Sequence, residues 1–366
     1  MTEKIKSVAV LGAGTMGSGI AGLCAERDCQ VLLLDVSLEA AEKALERIVS
    51  GHPPALDSIQ KQSNITLGTL SDDLEKIINC DWICEAVIED LQTKRDLMER
   101  LEPLRKGGSI VSTNTSGIPL RDITRGMPAR LRQDIVVTHF FNPVKIMRLL
   151  EIVPGTDTKP EVIQTLAKFC GSELGKGVVH AKDTVNFIGN RIGCYWMLSG
   201  LHHASRALDE GLSMETVDAL MSEPVGLPPT GLYGLIDLIG LDIMDFVGKN
   251  LKINLPKDDI GKHFTSFPAK EEAMLKRGQL GRKAGGGFYR VQKLNDGSKK
   301  KETFDQKSGD WRDTLAIELD GKHRTIDMML GDDIEATFAW HTMGGALCYA
   351  ADLVPQISDD VVNIDR

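Results

Sequence analysis

The chain has 366 residues, 42% of them hydrophobic and 26% charged, with a net charge of −9. This is enough chain for two domains with substantial cores. The acidic balance speaks against nucleic-acid binding, no apolar run is long enough to span a bilayer, and no signal peptide is expected, so a cytoplasmic protein is the expectation.

Taken in chain order, residues 1–182 alternate short apolar runs with amphipathic stretches, the pattern of an α/β domain built on a parallel sheet. Strands are expected at 7–11, 31–35, 82–85, 109–113, 135–138 and 149–153, with the continuous Val/Ile/Leu character of strands covered on both faces. From residue 183 the strand signals stop. A long helix is expected over 187–210, and residues 183–290 read as an all-helical domain. Residues 290–322 are polar and rich in Lys, Asp and Gly, as in an exposed hairpin or linker, and 332–353 is helical in pattern again. Seven cysteines without zinc-like spacing, Cys80 and Cys84 being the nearest to a pair, read as buried thiols in a reducing compartment, with no metal site.

The first strand runs into Gly12-Ala-Gly14-Thr15-Met16-Gly17 and then a helix, and Asp35 ends the second strand 18 residues later. Gly12 permits the tight turn, Gly14 lets a pyrophosphate approach the backbone, and Gly17 lets the helix pack against the sheet. The helix N-terminus favours the phosphate charge, and Asp35 can accept hydrogen bonds from ribose hydroxyls while repelling a 2′-phosphate. The expected fold is therefore a Rossmann-type doubly wound sheet with a second, helical domain, and the expected cofactor is NAD.

His139 ends a strand, Asn142-Pro143 forms a turn, and Glu151 lies in the next strand. A carboxylate beside an imidazole orients the ring and stabilises the charge it gains as a base, as NAD-linked oxidation of an alcohol requires. The other histidines, at 52, 180, 202, 203, 263, 323 and 341, lack such a partner and read as structural. Taken alone, Ser116 and Asn142 read as turn residues, Asn190 as a helix-terminal residue, and Glu89 with Lys94 as an exposed ion pair.

Together these residues resemble the 3-hydroxyacyl-CoA dehydrogenase family of fatty-acid β-oxidation. The matching pieces are the glycine loop, Glu85-Ala-Val-Ile-Glu89, Ser112-Thr-Asn114-Thr-Ser116, His139-Phe-Phe-Asn142-Pro143, Glu151, the run from Lys182 to Asn190-Arg191, and Gly281-Arg-Lys-Ala-Gly-Gly-Gly-Phe-Tyr289. The resemblance covers roughly residues 5–290. It implies His139 as general base and Glu151 as its charge partner. It further implies Ser116 and Asn190 on the substrate oxygen, and Glu89, Lys94, Asn114 and Asn142 around the cofactor beside Gly12, Gly14, Thr15, Met16, Gly17 and Asp35. The substrate would be an acyl-CoA lying between the two domains. Lys43, Arg47 and Lys61 are candidate cations for the CoA phosphates. Free hydroxy-acid dehydrogenases would share the glycine loop, but the His139/Glu151 pair speaks against them, and a purely structural role does not explain the full set.

Two features depart from the family pattern. Val185-Asn186 stands where the family usually has Pro-Gly, which puts the geometry ahead of the long helix in question. The stretch from Pro229 to Asp242, and residues 347–362, look more like long bacterial fusion proteins that carry a second helical repeat. The expectation is that 291–366 is a linker and the start of such a repeat, in a homodimer or a piece of a longer multifunctional chain.

Overall fold

A computed structural model describes residues 5–294 and 296–366. The chain divides into two compact units, one of residues 1–189 together with 353–366 and one of residues 190–352. The division falls at 189/190 rather than at 182/183, and the last fourteen residues belong with the first unit.

The first unit is built on an eight-stranded sheet. Its elements, in chain order, are β1 (Ser7–Leu11), α1 (Thr15–Glu26), β2 (Gln30–Asp35), α2 (Leu38–Ser50), β3 (Ile65–Thr69), β4 (Trp82–Glu85), α3 (Leu91–Leu101), β5 (Ile110–Thr113), α4 (Leu120–Ile123), α5 (Ala129–Asp134), β6 (Ile135–Phe140), β7 (Leu149–Pro154), α6 (Pro160–Lys168) and β8 (Gly177–His180). The strand order is β3-β2-β1-β4-β5-β6-β7-β8. Strands β1 to β6 are parallel, β7 runs antiparallel to β6, and β8 is parallel to β7. The order reverses at β1, so the carboxyl ends of β1 and β4 bound the crevice where doubly wound sheets place their ligands.

All six expected strands form. The two that sequence patterning missed, β3 and β8, are the two edges of the sheet. An edge strand is short and half solvated, so Ile-Thr-Leu-Gly-Thr and Gly-Val-Val-His lack the continuous apolar run of a central strand. Central strands β1, β4, β5 and β6 are buried nearly throughout. Trp82 anchors their packing: its ring lies 6.5 Å from Phe140 and 6.0 Å from Phe169, and its indole N–H donates to Ser112 Oγ at 2.8 Å.

The tail closes the β8 edge. His180 N donates to Asn363 Oδ1 (3.0 Å), Ser358 Oγ donates to the His180 carbonyl (3.1 Å), and Lys182 N donates to the Ile357 carbonyl (2.8 Å), with Ile357 fully buried. Backbone groups that an edge would leave open are thereby paired.

The second unit is mostly helical: α7 (Gly189–Glu210, starting in the last residue of the first unit), α8 (Met214–Leu220), α9 (Gly231–Ile239), α10 (Leu241–Asn254), α11 (Ala269–Lys276), α12 (Ile334–Ala339) and α13 (Gly345–Asp352). It also holds an antiparallel sheet of β9 (Tyr289–Lys293), β10 (Lys299–Phe304) and β11 (Trp311–Asp313). The stretch expected as an exposed hairpin or linker is thus part of a packed unit. Trp311 meets Phe304 at 5.4 Å, and Glu215 of α8 binds Arg312, Thr303 and the Leu315 amide. The long helix begins two residues later than expected, at Gly189, because Asn186 and Phe187 adopt left-handed backbone angles.

Candidate functional site

The glycine turn follows from sterics. Gly12 has φ +104°, and a Cβ there would lie 2.5 Å from the Ala86 carbonyl oxygen. A Cβ on Gly17 would fall 1.8 Å from the Gly12 carbonyl oxygen, so only glycine lets the start of α1 pack this closely. Gly14 is the opposite case. It is exposed, a Cβ would meet nothing within 4 Å, and it caps α1 without a side-chain hydrogen bond. Thr15 is exposed beside it and Met16 half-buried. The first helical amides are therefore open to an anion, as a dinucleotide pyrophosphate requires. Asp35 ends β2 with Oδ2 accepting from Ala13 N (2.5 Å), which holds its carboxylate against the loop. These residues fit the dinucleotide expected from the sequence.

The neighbouring carboxylates are wired inward. Glu85, fully buried at the end of β4, accepts from Lys94 Nζ and Val87 N with Oε1 (both 2.8 Å) and from Thr113 Oγ1 with Oε2 (2.6 Å). Lys94 also lies 3.3 Å from Glu89 Oε2. Lys94 is only 1% exposed, so the bare-residue reading of an exposed Glu89–Lys94 pair is corrected: two carboxylates share one buried ammonium. Glu89 Oε1 accepts from Thr115 Oγ1 (2.7 Å), Ser116 N (2.8 Å) and Gly117 N (3.1 Å), and lies 3.3 Å from Ser116 Oγ. Burial pushes the Glu89 carboxyl up, but Lys94 and these donors outweigh it and hold it below its usual range. Glu85, Thr113 and Thr115 are the members of this network that sequence reasoning left out. An acid ending a wholly apolar strand was the signal available.

The antiparallel pairing of β6 and β7 sets the central pair, because the register places His139 directly opposite Glu151. Residues facing each other in such a ladder carry their side chains on one face. His139 Nδ1 lies 2.5 Å from Glu151 Oε2, with His139 4% exposed and Glu151 fully buried. Glu151 Oε1 accepts the backbone amides of Ile188 (2.8 Å) and Gly189 (2.7 Å), so both carboxylate oxygens are fixed. The imidazole is flanked by Phe141 and Phe187, with ring centroids at 4.4 and 5.8 Å. Among the described residues its Nε2 has no hydrogen-bond partner, so this is the nitrogen left for a ligand.

Asn114 follows β5 and accepts from Phe140 N with Oδ1 (2.9 Å), tying the end of β6 to that of β5. Asn142 is exposed in the loop after β6. Asn190 is half-buried in the first turn of α7 and is the first residue of the second unit.

Lys43 pairs with Glu39 (2.6 Å), Arg47 donates to the Ala13 carbonyl (2.5 Å), and Lys61 pairs with Asp28 (2.9 Å), so each phosphate-binding candidate is engaged within the chain. Cys80 and Cys84 are buried, and burial pushes their thiols up to about 11 and about 12. Burial, the neighbouring His341 and Arg206 lower His203 to about 4. No helix among the described residues is long and apolar enough to cross a membrane.

Residues 7–184 match the profile described as 3-hydroxyacyl-CoA dehydrogenase, NAD binding domain, and residues 187–291 match that family's C-terminal domain. A probable 3-hydroxyacyl-CoA dehydrogenase of Deinococcus radiodurans is 36% identical over 297 residues, covering 79% of this chain and 84% of that protein. A putative fatty acid oxidation complex trifunctional enzyme of Rickettsia felis is 33% identical over all of this chain and 51% of its own length. The chain spans about half the length of the first curated relatives it matches. Among solved structures, the 3-hydroxybutyryl-CoA dehydrogenase of Escherichia coli K12 superposes with a TM-score of 0.65 at 27% identity, covering 81% of this chain and 66% of that one. M. tuberculosis FadB2 gives 0.67 at 26%, covering 79% and 100%.

Proposed function

The chain belongs to the 3-hydroxyacyl-CoA dehydrogenase family, and from that membership we propose that it oxidises (S)-3-hydroxyacyl-CoA thioesters to 3-ketoacyl-CoA with NAD. The single observation that carries the reading is the buried His139–Glu151 pair, with Glu151 pinned by two backbone amides and His139 Nε2 left free of partners among the described residues.

NAD, when bound, would supply the hydride acceptor; the glycine turn at Gly12, Gly14, Thr15, Met16 and Gly17 would hold its pyrophosphate and Asp35 its ribose. His139 Nε2 takes the hydroxyl proton as the carbon is oxidised. Nδ1–H points to Glu151, which fixes the tautomer and stabilises the imidazolium that forms. Ile188 N and Gly189 N satisfy the other oxygen of Glu151. Ser116, held by its own amide on Glu89, and Asn190 place hydrogen bonds on the substrate oxygen, where the donors count most in the ketone-like transition state. Glu89, Lys94 and Asn114 would border the cofactor, with Asn142 near its nicotinamide. The rings of Phe141 and Phe187 keep water from the imidazole. The acyl-CoA is the small-molecule partner, the compartment is the cytoplasm, and exposed Phe246 and Ile253 on α10 support self-association as a homodimer.

The test is His139→Ala. Acetoacetyl-CoA reduction with NADH should fall by roughly 10²–10⁴-fold, with NADH affinity unchanged by fluorescence titration. Normal turnover in that variant ends the assignment.

A further inference from the structure

Residues 183–189 are pinned at both ends. At one end the Asp183 carboxylate accepts the amides of Leu120 (2.7 Å) and Arg121 (3.0 Å), and Arg121 donates back to the Asp183 carbonyl (2.8 Å). At the other end Glu151 accepts the amides of Ile188 and Gly189. Between these anchors Asn186 and Phe187 take φ values of 59° and 52°. Successive left-handed residues other than glycine are sparsely populated, and they persist only where the surroundings impose them. Asparagine tolerates this conformation better than any large side chain, and glycine would occupy it freely.

The Asn186 side chain is also in an unusual state. The residue is 6% exposed, yet among the described residues its carboxamide makes no hydrogen bond. Its Oδ1 faces the turn that carries Ser116, lying 3.2 Å from where a Cβ on Gly117 would stand. The amides of Ser116 and Gly117 in that turn are both committed to Glu89. Its chain neighbour Phe187 packs on the His139 ring. The carboxamide atoms are not among the described polar atoms sealed from solvent without a partner, so the amide keeps an open side on which a ligand can meet it. Glycine at this position would remove both the strain and the unpaired amide; asparagine instead adds a donor next to the site.

We propose that Asn186 is a substrate-contacting, specificity-determining residue whose Nδ2 donates a hydrogen bond to an acyl oxygen of the bound thioester. With Oδ1 against the Gly117 turn, Nδ2 is the end of the carboxamide available to a ligand, and it demands an acceptor such as a thioester or ketone oxygen. This rests on the reading that the site handles 3-hydroxyacyl and 3-ketoacyl thioesters.

The experiment compares Asn186→Gly, Asn186→Asp and His139→Ala in the full chain, with acetoacetyl-CoA and NADH. Asn186→Gly accepts the left-handed backbone, so its urea midpoint should equal or exceed that of the parent. Its kcat/KM for acetoacetyl-CoA should fall about tenfold to a hundredfold with NADH affinity unchanged. Asn186→Asp keeps the shape but loses the donor, and should fall at least as far. Unchanged kcat/KM in Asn186→Gly overturns the proposal. So does a loss that comes with a lowered urea midpoint or weakened NADH binding, which marks a structural strap only. His139→Ala separates the two claims: an active His139→Ala defeats the general-base reading, whereas an inactive one beside a fully active Asn186→Gly defeats only the role of Asn186.

Discussion

Each unit buries carboxylates and ties them to backbone amides, but the third partner differs. In the first unit Glu151 is completed by an imidazole and Glu85 by the Lys94 ammonium. In the second, Asp237 accepts the Phe288 and Tyr289 amides (2.8 and 2.7 Å), and Asp218 accepts the Tyr233 and Gly234 amides (2.6 and 3.1 Å) and the Tyr289 hydroxyl (2.8 Å). No cation pairs with either aspartate among the described residues. Burial accordingly pushes Asp218 up to about 7 and Asp237 to about 6. Glu215 in the same unit makes the control: burial pushes it up too, but Arg312, the Leu315 amide and Thr303 hold it at about 2. Among the buried aspartates and glutamate of the second unit, the partner decides whether burial raises the carboxyl or a cation holds it down.

The sharpest way to break that contrast is Glu151→Gln. Its carboxamide oxygen can still accept the Ile188 and Gly189 amides, so the fold should survive. Its NH2 then faces His139 Nδ1, forcing the proton onto Nε2, where the ring can no longer act as a base. Turnover should drop by roughly 10²–10⁴-fold, with the urea midpoint nearly unchanged. A variant that keeps its rate would reduce Glu151 to a pin like Asp237. Next in size is Lys94→Met, which leaves Glu85 buried without its cation. Removing one partner of a buried pair costs about 3–5 kcal/mol, read from urea denaturation; a neutral result would mean that Val87 N and Thr113 suffice.

The most gradual effect concerns pH. Asp218 and Asp237 have folded values above those of the unfolded chain, so the folded state binds more protons between about 4 and 7. Stability should fall as pH rises through that window, by at most about 1.4 kcal/mol per pH unit per group. Glu215 works in the other direction, its contribution being present above about 4.5 and lost as pH falls toward 2. Asp218→Asn should flatten the decline between about pH 4 and 7 in urea melts. An unaltered profile would show that the three donors to Asp218 already offset its burial.

Much of this was legible in residue order. The glycine turn and Asp35 were readable because Gly12 and Gly17 each answer a steric demand, and His139 and Glu151 because a separation of twelve residues with an Asn-Pro turn between them suits an antiparallel return. Burial of Lys94 was not legible, since nothing in Leu-Gln-Thr-Lys-Arg-Asp distinguishes it from a solvated helix face; only the placement of α3 over Glu85 does. Edge strands β3 and β8 were hidden by their half-polar composition. The conformation of Asn186 and Phe187 depends on the anchors at Asp183 and Glu151, which are 63 residues from Leu120 and 37 from Ile188 respectively.

Because the stretch 353–366 returns to line β8, the helical unit is topologically an insertion within the nucleotide-binding one, entered at 189/190 and left at 352/353. Cutting the protein in two after Gly189 would therefore yield a sheet with a raw margin, prone to recruit strands from other molecules. A self-standing version of that half calls for a different graft: residue 189 spliced through a short linker to residue 353, so that Ile357, Ser358 and Asn363 can still dress the outermost strand.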